Sequence, residues 1–537
     1  MLQIMKKTLK IFSAVVLGAF ILSGCIKETQ PKSDYATSEQ LGASASALDA
    51  AMSGLPAQLT QSYPILGSGE QQETDIAYPS FMMMYEEMLG NIYPGGSNTG
   101  YDWFRRFNTN ESQGDAYTMI YIPWRALYMF IKSANDIIGA VDEATATENL
   151  LGYAGMAYVY RAFWYYHAMN LYEPKENPYT DVSAVKGLTV PIVTDQTPES
   201  EGKNNPRATH EEMIKFILGD LDKAEQYLAN FTPASNLYPS LAVCYGVRAK
   251  VLMTDGQYAD AAKYARMAID TFGGTPVTQS QWLDVNSGFV KANQAWMWYT
   301  TYSAESMGNL ANWIGWISGE ADWGYSSLTC PMIDRALYDR IAKTDFRKYS
   351  FLDPDRSIYN YQTCRPAGWL DGKPDYLSTK FRCVDGNFNT YTVGGVCDVP
   401  MMRVEEMYYI EAEATGLSQG VSAGVTLLNN FVKEYRQTDY ECMATDIAAF
   451  EDEILFQKRV EFWGEGIALF DAKRMGAGCK QSYEGTNAPG DAFKLNCDVI
   501  KPNWNLVIPR SEVSNNNALQ GLNNPDPTGT VKPDLTW

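Results

Sequence analysis

The sequence predicts a mainly α-helical protein in which tetratricopeptide-like helical hairpins form a scaffold carrying long loops and minor β elements. Three observations lead there. Apolar residues recur at helical spacing through most of the 537 residues, one pair of segments has the alanine spacing of a repeat hairpin, and strand-like sequence is sparse. With 45% hydrophobic and 20% charged residues, the chain can bury a sizeable core and is not a disordered one.

In chain order, Lys6, Lys7 and Lys10 precede an apolar run over residues 11–22, and Leu22-Ser23-Gly24-Cys25 closes it. The run is about a dozen residues, whereas a bilayer span needs about 20. Basic, apolar, small and cysteine in that order read as a secretory signal ending in a bacterial lipobox, with residues 1–24 removed and Cys25 acylated. Residues 25–42 then form a lipidated, flexible tether, and 43–537 a single helical domain. No second apolar span follows, so the expected body is anchored to a membrane and does not cross it.

Helical spacing runs over 117–141, with Trp124, Leu127, Tyr128, Ile131, Ile137 and Ile138, and over 150–172. In the second segment Gly152, Ala154, Gly155, Ala157 and Ala162 admit a close neighbour while Phe163, Trp164 and Tyr166 fill space. A third helix is expected over 209–229. Segments 240–253 and 257–272, broken at Asp255-Gly256, make the hairpin, with Ala249, Leu252, Tyr258, Ala262, Ala265 and Ala268 at repeat-like places. Residues 404–414 and 421–436 form another pair, and one last long helix is expected over 447–475. Residues 188–193 and 506–508 are the minor strands. Between them, about 273–400 is a loop-rich insert of Gly, Pro, Asn, Trp and Tyr, the kind of segment that carries function on a rigid scaffold.

Composition excludes several classes. Forty-three Lys and Arg against 63 Asp and Glu give a net charge of -20, a field that repels nucleic acid. His167 and His210 are the two histidines, too few for a histidine metal site or a His-based triad. His210 falls in Thr209-His210-Glu211-Glu212, a capping-box spacing, and His167 among aromatics reads as a core residue. No CxxC, P-loop, HExxH or EF-hand spacing occurs; no catalytic or metal residue is assigned, no cofactor is expected, and a structural calcium is left unassigned. After Cys25 eight cysteines remain, with Cys383 and Cys397, and Cys479 and Cys497, as disulfide candidates and buried free thiols as the alternative.

Several motifs together resemble the SusD/RagB family of Bacteroidetes surface lipoproteins. Trp124-Arg125-Ala126-Leu127-Tyr128 with Ala134-Asn135-Asp136-Ile137-Ile138 looks like its first long helix. Arg161-Ala162-Phe163-Trp164-Tyr165, Asn170-Leu171-Tyr172 and Val190-Pro191-Ile192 look like its arginine-alanine helix and following proline segment, with Asp220-Leu221-Asp222-Lys223-Ala224 before the hairpin. Arg403-Val404-Glu405-Glu406 with Glu411-Ala412-Glu413-Ala414, and Ile454 through Arg459, Glu461-Phe462, Glu465-Gly466 and Phe470-Asp471-Ala472-Lys473-Arg474, are similar to its C-terminal helices. Gln457, Lys458, Ala468 and Lys433 depart from the pattern at places where Glu or Arg is common.

The resemblance implies a non-enzymatic, surface-exposed, lipid-anchored outer-membrane protein. It would bind oligo- or polysaccharide and deliver it to a SusC-like TonB-dependent transporter, with a peptide-binding RagB-like member as the alternative. The residues agree with a sugar binder, because pyranose CH faces stack on stiff aromatic rings while acids and amides fix hydroxyls. The expected ligand residues are Tyr101, Trp103, Trp298, Trp313, Trp316 and Trp323, from the two densest aromatic clusters, with core packing as the competing reading. A lipid-anchored glycoside hydrolase is the rival, needing two carboxylates about 5 to 10 Å apart. Glu461 and Glu465 share a helix face but belong to the structural signature. Gly416-Leu417-Ser418-Gln419-Gly420 and Gly420-Val421-Ser422-Ala423-Gly424 match an esterase elbow, yet a helix precedes them and no histidine follows, so a helix-helix turn is expected. A tetratricopeptide scaffold binding only protein would leave the Trp-rich loops unexplained.

Overall fold

Helices form where apolar periodicity meets capping chemistry. In the computed structural model, residues 41–42, 45–61, 77–95, 104–304, 312–324, 326–357, 363–366 and 368–537 are described. The expected signal, Cys25 and most of the tether, with Tyr101 and Trp103, lie outside the described residues; of the tether only 41–42 are described, and these are helical. The long helices are α1 (Ala45–Ala57), α2 (Tyr78–Leu89), α3 (Thr118–Ala140), α4 (Glu148–Tyr172), α5 (His210–Leu228), α6 (Leu241–Thr254), α7 (Tyr258–Phe272), α8 (Val404–Gln419), α9 (Val421–Tyr435), α10 (Ile447–Glu461) and α11 (Ala468–Met475). The Thr147 hydroxyl accepts from the Leu150 N–H to start α4. At α5 the Thr209 hydroxyl accepts from Glu212 N–H while the Glu212 carboxylate accepts from Thr209 N–H, the reciprocal box that the sequence implied. Among the described residues no helix is long and apolar enough to cross a membrane.

Each helix from α3 to α9 packs on the next, including α7 on α8, although the whole insert separates these two in sequence. Three short antiparallel pairs add the β content: β1 (Ile92–Pro94) with β3 (Pro331–Ile333), β2 (Trp296–Thr301) with β4 (Asp398–Arg403), and β5 (Cys479–Lys480) with β6 (Asn496–Cys497). Because β2, in the first part of the insert, pairs with β4 at its end, residues 296–301 lie beside the point where the insert rejoins the scaffold.

Small residues set the helix spacing. A Cβ on Gly152 would lie 2.3 Å from the Phe231 ring, and one on Gly155 would lie 3.0 Å from Leu228, so the Leu228 and Phe231 side chains seat directly on the α4 backbone. Arg161 then joins three helices: Nε and Nη2 donate to both Asp220 oxygens at 2.8 and 2.7 Å, and Nη1 donates to Asn135 at 2.8 Å.

Four expectations are corrected. The 447–475 segment is two helices, broken where Gly464 and Gly466 take φ of 81° and 71°, which turns Glu465 back toward Arg403 and Lys380. Residues 506–508 form no strand, because Asn523 and Asn524 side chains serve the Ile508 N–H and the Leu506 carbonyl in place of a neighbouring chain. Residues 188–193 make one bridge, Leu188 with Thr209, and Thr189 and Val190 bond the Ala208 backbone, while the hydroxyls of Tyr128 and Tyr165 and the amides of Asn135 and Asn205 take the carbonyls of 191–193. Among the described residues all eight cysteines are free thiols. Cys383 faces the Ser318 hydroxyl at 3.9 Å and Cys364, rather than Cys397; Cys479 and Cys497 are register partners across β5 and β6, but Cys479 turns its thiol to the Leu89 carbonyl at 3.7 Å.

Candidate functional site

The structure turns most of the expected aromatic platform inward. Trp298, Trp313, Trp316 and Trp323 are 0%, 0%, 1% and 6% exposed, so none offers a ring face to a sugar. Alternation on β2 points Trp298 at α4, where Tyr160 and Phe163 meet it edge-on at 4.9 and 5.0 Å and its indole N–H donates to the Leu237 carbonyl. Trp313 and Trp316 lie on one short helix, Trp313–Ile317, covered by Phe381 on one ring and Phe104 on the other, at 5.3 and 5.5 Å. Trp323 donates its N–H to Asn312, the residue that caps that helix through Gly315 N–H.

Trp313, Trp316 and Trp323 form a floor, and three loop segments of the insert, within 312–324, 363–374 (all but 367 described) and 383–397, build a face upon it. Asp322 N–H donates to the Phe388 carbonyl at 2.8 Å, and Gly394 presses its backbone against the Trp323 ring, holding the third segment to the first. The Glu320 carboxylate, fully buried, accepts from Cys364 N–H at 3.3 Å and from Arg382 Nη1 at 3.0 Å, tying in the second. At the rim the Arg365 guanidinium lies 4.2 Å from the Phe388 ring centre and 5.5 Å from that of Trp369, with Asp322 at 3.5 Å. Its Nε and Nη1 are buried, and apart from the Asp322 pairing they have no hydrogen-bond partner. Lys373 approaches the same Trp369 ring at 5.3 Å. Half-buried Trp369, Phe388 and Tyr391, with exposed Asn389 and half-exposed Asp322, therefore present stiff rings beside acid, amide and guanidinium groups. None of Arg365, Trp369, Phe388 and Tyr391 was singled out from sequence; their signal was an aromatic among Gly, Asn and Pro, which many insert positions share.

Two clefts elsewhere lack this combination. One of about 670 Å³ is lined by Trp124, Arg125, Tyr128, Lys132, Asp136 and Glu512, but Trp124 is 4% exposed and Tyr128 is spent on the Pro191 carbonyl. In another of about 680 Å³, Arg340 already covers the Phe456 ring at 4.1 Å.

The two carboxylates of the C-terminal signature, Glu461 and Glu465, are committed to structure. Glu461 pairs with Arg347, Arg403 and Arg436 at 3.1, 3.1 and 2.7 Å, and Glu465 with Lys380 and Arg403 at 2.7 and 2.8 Å. Glu405 and Asp345 complete a set of four anions and four cations with almost no exposed surface. Burial opposes ionisation of Glu461, yet Arg436, Arg403 and Arg347 hold its carboxyl well below the usual range; burial pushes the Lys380 ammonium down to about 8. Charges so paired stay in place because removing one partner of a buried pair costs about 3 to 5 kcal/mol. Gln457 keeps the set intact despite lacking a charge, accepting from Arg347 at 2.6 Å, and Lys458 still pairs with Glu413 and Asp471. Burial also pushes the Glu86 carboxyl up to about 7, but at 1% exposure beside Asn91 and Gly466 N–H it meets no solvent. Ser418 lies within α8 and Ser422 in the first turn of α9, with Gly420 at φ 108° between the helices, as a helix-helix turn requires. His167 is core, its Nδ1 2.9 Å from the Tyr85 hydroxyl, and burial holds its pKa well below the ordinary value. Among the described residues no three His, Cys, Asp or Glu side chains gather as a metal site.

A family model described as "Starch-binding associating with outer membrane" matches residues 72–252, and one described as "SusD family" matches 358–526. SusD-like protein P2 of Formosa agariphila is 24% identical over 446 residues, spanning 78% of this chain and 83% of that protein. A SusD-like carbohydrate binding protein from Bacteroides vulgatus superposes with a TM-score of 0.69 at 17% identity, covering 94% of this chain and 99% of the other. A SusD superfamily protein from Bacteroides thetaiotaomicron gives 0.67 at 19% identity, covering 89% and 99%. The two family models lie on either side of residues 253–357, and the second begins within the loop-rich insert: this chain belongs to the SusD/RagB family.

Proposed function

We propose that the protein captures glycans on the loop face around Arg365 and hands them to a TonB-dependent outer-membrane transporter, held at the cell surface by a lipid on Cys25. The observation that carries this is the rim itself: half-buried Trp369 and Phe388 flank the Arg365 guanidinium, which pairs with the exposed Asp322 carboxylate beside the exposed Asn389 amide, on a floor of packed tryptophans. Rings supply stacking area at small entropy cost, and the polar groups fix hydroxyl orientation. Family membership supports the same reading, since relatives are described as carbohydrate- or starch-binding. Capture without cleavage is supported by the commitment of Glu461 and Glu465 to the buried ion set. Tyr101 and Trp103 stay in the proposal on the sequence argument alone.

Trp369→Ala and Phe388→Ala test the face directly. Each is expected to weaken glycan affinity by about five- to thirtyfold, because losing one stacked ring costs about 1 to 2 kcal/mol, while thermal unfolding moves little. Unchanged affinity in both variants, measured by titration calorimetry, would move the site elsewhere.

A further inference from the structure

Two cysteines of the loop face are neighbours in space although 18 residues lie between them. The Cys364 side chain interacts with the Cys383 thiol. Cys364 Cβ lies 3.2 Å from where a Cβ on Gly386 would stand, and Gly386 N–H donates to the Cys383 carbonyl at 2.9 Å. The Glu320 carboxylate clips the backbone of Cys364 and the side chain of Arg382, which precedes Cys383, at 3.3 and 3.0 Å. Cys364 is half-buried and Cys383 buried, so a reagent reaches the first and the second lies within its reach.

We propose that Cys364 and Cys383 are a disulfide site whose oxidation staples the segment bearing Arg365 and Trp369 to the segment bearing Phe388 and Tyr391. The consequence for ligand capture rests on the loop-face reading; the bond itself does not. The oxidant is a small disulfide such as glutathione disulfide. Cys364, its proton lost to water, attacks one sulfur of the oxidant, forming a mixed disulfide and expelling one thiolate that takes up a proton. Cys383 then gives its proton to water and attacks the Cys364 sulfur, expelling the second thiol. Two protein thiols become one disulfide, and one small disulfide becomes two thiols. The interaction with Cys364, and burial after it, keep Cys383 protonated well above the usual thiol range, so resolution of the mixed disulfide is the slow, base-accelerated step.

The test uses the full chain, reduced and then incubated with glutathione disulfide, alkylated and digested with trypsin without reduction. The expected mass-spectrometric product joins residues 357–380 to 383–403, and it disappears in Cys364→Ser and in Cys383→Ser but persists in Cys397→Ser, whose cysteine shares the second peptide. Glutathione remaining on Cys364 with Cys383 alkylated would overturn the site, as would a cross-link surviving Cys383→Ser. Amide exchange over residues 363–374 is expected to slow by about threefold or more on oxidation. Equal exchange in both states would overturn the staple. Glycan titration of the reduced protein is scored separately, so failure of the bond and failure of the loop face remain distinct.

Discussion

His210 sits in the first turn of α5 with Nδ1 2.8 Å from Glu173 and Nε2 3.1 Å from Asp255, so one ring joins the ends of α4 and α6. The hydrogen bond to Glu173 raises its pKa against the burial and Lys175 that oppose the charge. A raised folded pKa means the folded state holds the proton more tightly. The stabilisation is therefore complete below the unfolded value near 6.5 and is lost as pH rises through the higher folded value. His210→Gln is expected to lower the melting temperature more at pH 6 than at pH 9; equal losses would remove the charged pairing from the account. The capping box around His210 was legible in four consecutive letters, whereas its two carboxylate partners, 37 and 45 residues away, follow only from how α4, α5 and α6 pack.

At the scale of elements, Gly416, Gly420 and Gly424 explain one another. A Cβ on Gly424 would stand 2.6 Å from the Ala412 carbonyl oxygen and 2.7 Å from Gly416 Cα, so α8 and α9 touch backbone to backbone. Gly424→Ala is expected to destabilise by about 1 to 3 kcal/mol, the cost of overpacking, while Ser422→Ala on the same helix changes stability little. Chemical denaturation of both variants decides it, and a neutral Gly424→Ala would contradict the close crossing. Helices were legible because their period is local. The break before α11 was not, since Gly464 and Gly466 serve the reach of Glu465 to charges distant in sequence. The tryptophans misled for a related reason: Asn and Gly around Trp316 and Trp323 mark a loop, but a loop laid against Phe104, Phe381 and Asn312 buries its rings as fully as a helix does. What reaches solvent is set by the layer above, residues 363–374 and 383–397.

For the whole molecule, helices packed in sequence from α3 to α9 and buried ion pairs make a stiff frame, and the insert between α7 and α8 carries the rings and charges of the loop face. The proposed capture role belongs at a surface, which gives the proposed N-terminal lipobox its place in the account. Cys25→Ala is expected to shift the protein from outer-membrane to soluble fractions, and undiminished membrane retention on immunoblots would contradict lipid anchoring. The most direct test of the central claim is calorimetric titration of the purified protein against plant, host and microbial glycans, with released reducing sugar assayed in the same samples. The account predicts binding to at least one glycan, weakened by Trp369→Ala, with no sugar released. Sugar release that tracks the protein, or binding unaffected by loss of Trp369 and Phe388, would contradict it.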